Sequence, residues 1–190
     1  NCQSLLWPIH WNCWKAKSLF HDLTFDQSKD VILHGDLHHD NILASEQSWK
    51  AIDPHGYIGD PAFEVGSIIF NPYDCFPSHQ PLLEIIKRRL KIMVRELPFA
   101  AQRIKAWAFC KTMLSVAWTY EDHGKIDEGE LEIARIVDSM KLWMQYNLIK
   151  IIQICFTGEM YAISPINILT WWLAKQYYQL VRLIICHMRE

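Results

Sequence analysis

The first thirty residues of this chain contain no glycine. A stretch without glycine is a poor candidate for the tight backbone cradle that holds phosphates ahead of a helix. Its only lysines, Lys15, Lys17 and Lys29, fall in no apolar strand pattern and read as solvated. Charge of one sign is also missing in excess: 19 Lys and Arg stand against 21 Asp and Glu, for a formal net charge of -2. That argues against a nucleic-acid binder working through a broad basic surface. The six cysteines, at 2, 13, 75, 110, 155 and 186, include no close pair, so neither a disulfide frame nor a zinc knuckle is expected, and they read as cytosolic thiols. The longest uncharged run, Met160 to Ala174, is interrupted by Pro165 and is shorter than the roughly 18 to 20 residues of a membrane span. There is no signal peptide pattern, internal repeat or low-complexity linker, and cytoplasm is the expected location.

What is present is enough for one core, since 190 residues carry 51% hydrophobic and 21% charged side chains. The informative stretch is Val31-Ile32-Leu33-His34-Gly35-Asp36-Leu37-His38-His39-Asp40-Asn41-Ile42-Leu43, followed by Trp49-Lys50-Ala51-Ile52-Asp53-Pro54. Val31 to Leu33, Ile42 to Ala44 and Lys50 to Ile52 read as short strands that bracket a loop and deliver Asp53 at a strand end. An acid, an amide and a second acid then meet at one edge of a small hairpin. Such a set suits phosphoryl transfer from a magnesium nucleotide, because a hydroxyl acceptor needs a carboxylate to orient it and take its proton. Magnesium in turn needs hard oxygen ligands. Asp36 is the candidate base, and Asn41 and Asp53 offer the oxygens.

His34-Gly35-Asp36-Leu37-His38-His39-Asp40-Asn41-Ile42-Leu43 resembles the catalytic loop of the aminoglycoside phosphotransferase and choline kinase-like superfamily, a branch of the protein-kinase-like fold. Ile52-Asp53-Pro54 resembles its metal-binding strand end. The run from Ile58-Gly59-Asp60-Pro61-Ala62-Phe63-Glu64-Val65-Gly66 to Asn71-Pro72 is most similar to the streptomycin and hydroxyurea resistance kinases, and the likeness extends over roughly Val31 to Met140. The resemblance implies Asp36 as base, Asn41 and Asp53 as magnesium ligands, His34 as a brace, and Glu64 as a structural acid on the backbone amides of the loop. It implies Mg2+ and ATP, with an alcohol group of a small molecule as acceptor: first a streptomycin-like aminoglycoside, then hydroxyurea, in antibiotic resistance or secondary metabolism. The fold it implies is α+β and mainly helical, the carboxy-terminal lobe of a kinase-like fold without its nucleotide-binding lobe. Residues 1–30 would be a remnant before the loop, 31–141 the lobe, and 142–190 an apolar helical tail. The start at Asn1 fits a piece of a longer product, a disrupted reading frame or a trimmed chain.

Other readings draw on the same residues. Asp36 and Asn41 are residue types that turns select, but a turn requires no matching acid after the next strand. A non-catalytic remnant or interaction module would keep the loop by descent. A metal-dependent hydrolase would use the nitrogen and oxygen donors of His34, Asp36, His38, His39 and Asp40. A loop containing Gly35 and closing on Asn41 fits better than an extended metal face. His38 reads as a hydrogen-bonding neighbour of the loop. Asp36, Asp40, Asp53, Asp60 and Glu64 together suggest an acidic cleft for a cationic acceptor. Beyond it, the pattern predicts helices over Phe63 to Phe70, from Leu82 to Leu97, from Phe99 to Tyr120 with Gly124 as its end, and from Gly129 to about Trp143 with Asp127 near its start.

Overall fold

The apolar residues from Leu82 to Leu97 recur at helical spacing, and in the computed structural model they form one side of a helix. The structure describes residues 3–25, 30–45, 48–72, 76 and 80–141; the expected tail, Lys29 and Trp143 lie outside them. The helix is α3, Leu82–Glu96, and it buries Ile86, Leu90 and Met93 toward the core. α4, Ala101–His123, begins and ends slightly later than its pattern predicted. Gly124 closes it in the left-handed conformation, φ 66, and its N–H donates to the Tyr120 carbonyl at 2.8 Å. α5, Glu128–Ser139, starts as expected on Asp127, whose carboxylate accepts from the N–H groups of Gly129 and Glu130 at 2.8 and 3.0 Å.

Among the described residues, α4 packs against every other helix. Its Ile104, Trp107, Ala108 and Phe109 are buried in one core with Leu131, Ile133 and Val137 of α5. The first thirty residues, expected as a remnant before the loop with no element assigned, carry α1, Gln3–Thr24. It lies on α4 with Ala16, Leu19 and Leu23 against the core, and Phe20 meets Trp107 edge-on with centroids 5.5 Å apart. Lys15 is therefore not a solvated lysine. It is half-buried and paired with Asp138 at the end of α5, while Lys105 of α4 donates to the carbonyls of Asp138 and Met140 at 2.6 and 2.7 Å.

The expected helix over Phe63 to Phe70 divides in two. Asp60 caps a short 3-10 turn, Pro61–Glu64, by accepting from the Ala62 N–H at 3.0 Å, and only then does α2, Val65–Phe70, begin. Proline just after the cap fixes the first φ of the turn. Arg89 of α3 closes the other end of α2, since its buried guanidinium donates to the carbonyls of Ile68, Ile69 and Asn71 at 3.2, 2.9 and 2.8 Å.

Among the described residues, four three-residue strands complete the α+β, mainly helical architecture. β1 (Val31–Leu33) and β2 (Ile42–Ala44) lie where the pattern put them, and β3 (Trp49–Ala51) lies one residue earlier. β2 and β3 form an antiparallel hairpin with Leu43 opposite Lys50. β1 pairs instead with β4, Tyr57–Gly59, in the register Ile32 to Ile58. The sequence did not announce that fourth strand.

Candidate active site

The chain leaves β1 at buried Leu33 and enters a loop fixed mainly by bonds to backbone. The ring of His34 places Nε2 2.7 Å from the Ile52 carbonyl, while its Nδ1 accepts from the Asp36 N–H at 3.4 Å. The two bonds together require the tautomer protonated at Nε2. The His34 carbonyl also accepts from the His55 N–H at 2.7 Å. Gly35 has φ 88, and a Cβ there would stand 2.6 Å from the Tyr57 ring, so the position needs glycine twice over. Its N–H donates to Glu64 Oε1 at 2.8 Å, and its carbonyl accepts from Lys111 Nζ at 2.8 Å.

Asp36 follows, with its side chain about a third exposed and Oδ2 3.2 Å from His38 Nε2. Nδ1 of His38 accepts from the Asp40 N–H at 3.4 Å, so Nε2 carries the proton that faces Asp36. A single 3-10 turn, His39–Asn41, then brings Asn41 back: its amide nitrogen donates to the Asp36 carbonyl at 2.9 Å. With the nitrogen committed, the oxygen of that amide is the end available to a cation. The Asn41 carbonyl accepts from the Ile52 N–H at 3.0 Å, which ties the loop to the residue just before Asp53. Asp53 is exposed and holds φ 57, the one non-glycine with positive φ among the described residues. Backbone strain of this kind is uncommon outside glycine and is found at functional positions. Hard oxygens from an amide and a carboxylate fit magnesium better than a softer ion.

The remaining acids separate into two groups. Asp40 points to solvent, and the donor atoms of His38, His39 and Asp40 lie within 4.8 Å of one another. Burial pushes the His39 pKa down, against the pull of Asp40. Asp60 and Glu64 are buried instead. Asp60 takes the indole N–H of Trp107 and the guanidinium of Arg103, which lies at 2.6 Å, so it braces α4 and has no described bond to the loop. Burial pushes the Glu64 carboxyl up, opposed first by the Gly35 N–H. The acids open to solvent around the loop are thus Asp36, Asp40 and Asp53. Sequence reasoning passed over Lys111, which it placed on the mixed faces of α4; a lone lysine amid the apolar run from Trp107 to Val116 was the available signal.

The family model described as aminoglycoside/hydroxyurea antibiotic resistance kinase matches residues 16–123. The chain belongs to that family. Among curated relatives, the streptomycin 3''-kinase of Klebsiella pneumoniae is 39% identical over 94 residues, which is 47% of this chain and 35% of that kinase. The streptomycin 6-kinase of Streptomyces glaucescens is 30% identical over 94 residues, covering 49% of this chain and 31% of the relative. The hydroxyurea phosphotransferase of Kitasatospora aureofaciens is 30% identical over 106 residues, covering 55% and 28%. The chain spans about a third of the length of these curated relatives. No solved structure matches it. No helix among the described residues of this family member is long and apolar enough to cross a membrane.

Proposed function

We propose that this chain carries the catalytic loop of a phosphotransferase that moves the terminal phosphoryl group of a magnesium nucleotide, ATP, to an alcohol group of a small molecule. Asp36 orients the acceptor hydroxyl and takes its proton while the oxygen-to-phosphorus bond forms and the bond to the nucleoside diphosphate breaks in line. His38 keeps that carboxylate turned toward the acceptor. Asn41 and Asp53 supply the oxygens for magnesium, which when bound offsets charge on the phosphates. The nucleotide lies between this carboxy-terminal lobe and a second lobe encoded outside residues 31–141. A streptomycin-like aminoglycoside is the first choice of acceptor, because the named relatives include streptomycin kinases, and Asp36, Asp40 and Asp53 would attract its cationic groups. Hydroxyurea is the second.

One observation carries the reading: the bond between the Asn41 carbonyl and the Ile52 N–H, which joins the two halves of the acid, amide and acid set. The test mixes purified chain with magnesium ATP and follows phosphate transfer to streptomycin and hydroxyurea. Asp36→Asn should lower the rate by about 10²- to 10⁴-fold with nucleotide binding retained. Equal rates in the two proteins remove Asp36 as base. A folded chain that binds no nucleotide supports the non-catalytic remnant, and copurified zinc at His38, His39 and Asp40 supports the hydrolase.

A further inference from the structure

Lys111 sits in the middle of α4 and is 3% exposed. Its ammonium donates to one carbonyl, that of Gly35, and stands over the rings of Phe63 and Trp118 at 4.4 and 5.7 Å. Burying an ammonium is costly, and a methionine would fill the same space without that cost. Packing alone therefore does not account for a lysine here. Gly66 of α2 makes room for it, since a methyl at that position would overlap the lysine Cβ and Cγ.

The peptide that Lys111 grips is the one that begins Asp36. Because a peptide unit is planar, the Gly35 carbonyl and the Asp36 N–H move as one body. Lys111 holds the carbonyl end, and His34 Nδ1 accepts from the N–H end. The preceding peptide is held by Glu64, 6% exposed, through the Gly35 N–H at 2.8 Å. A buried carboxyl and a buried ammonium thus take the two polar groups of a single glycine.

We propose that Lys111 is a positioning residue, its ammonium fixing the Gly35 to Asp36 peptide so that the Asp36 carboxylate is presented in one orientation. The catalytic consequence rests on the assignment of Asp36 as base; the grip itself does not.

Backbone amide exchange separates the two. Lys111→Met should speed exchange at Gly35 and Asp36 by about ten-fold or more while amides of α5 stay within about twofold, and Lys111→Arg, which keeps a donor, should restore protection. Gly66→Ala displaces the lysine stem without removing its charge and should loosen the same two amides. Loop amides unchanged in the methionine and alanine variants overturn the proposal, as does an equal acceleration in the loop and α5. With phosphate transfer measured in parallel, Lys111→Met should lower kcat by about ten-fold with the KM for nucleotide nearly unchanged; a raised KM at constant kcat also overturns it. No transfer by the unsubstituted chain is the result expected where the second lobe is not supplied, and exchange alone then decides the grip.

Discussion

The strand and loop platform from Val31 to Gly59 and the helices from Leu82 to Ser139 are held by different forces. The strands are three residues long, and their paired Ile32 and Ile58 are 72% and 77% exposed, so burial contributes little at that pair. The loop keeps its shape through directional bonds: His34 to Ile52, Asn41 to Asp36, and Glu64 and Lys111 to Gly35. The helices keep theirs through close-packed apolar side chains. The lesson is that chemistry and stability are anchored separately. One lost bond can loosen the platform without unfolding the chain, whereas one lost large side chain weakens the whole.

The sharpest test of that division is Trp107→Ala, which empties the centre of α4 and also removes the indole N–H from Asp60. A loss of about 3–5 kcal/mol in urea unfolding is expected; a loss below about 1 kcal/mol would mean the core does not carry the fold. Next comes Arg89→Met, which keeps the buried volume and strands the carbonyls of Ile68, Ile69 and Asn71 at the end of α2. About 2–3 kcal/mol should be lost, read from the same unfolding curves. A near-neutral result would show that packing alone holds α2.

The smallest effect belongs to the platform. Glu64 has its pKa raised by burial, so between its ordinary value and the raised one the folded chain binds more protons than the unfolded chain. Its contribution is therefore full below the ordinary value and declines as pH rises through the folded one. Glu64→Gln keeps an acceptor for the Gly35 N–H and cannot titrate. Stability of the parent chain relative to the variant should fall as pH is raised from about 4 to 8. A difference independent of pH would place Glu64 in contact with water or a compensating charge.

Much of this division was legible in the sequence. Leu82, Ile86, Leu90 and Met93 repeat at a spacing only a helix satisfies, and Gly124 and Asp127 mark an end and a start that each have one local cause. The loop was legible because Gly35 and Asn41 bracket it within ten residues. β4 was not, because Tyr57, Ile58 and Gly59 are too few for alternation to show, and their partner lies across the loop. α1 hid because Trp11 and Trp14 remain outward, which blurs its apolar stripe. The partnerships of Lys15 with Asp138 and of Lys111 with Gly35 span 123 and 76 residues, distances at which no local pattern carries information.

The end of α5 shows what such distant partnerships do to assembly. Its final carbonyls are met by Lys105 from α4, and Asp138 is met by Lys15 from α1. A helix whose last turn is completed by side chains from two other helices cannot finish forming ahead of them. α1, α4 and α5 should accordingly appear and melt together, as a single cooperative unit.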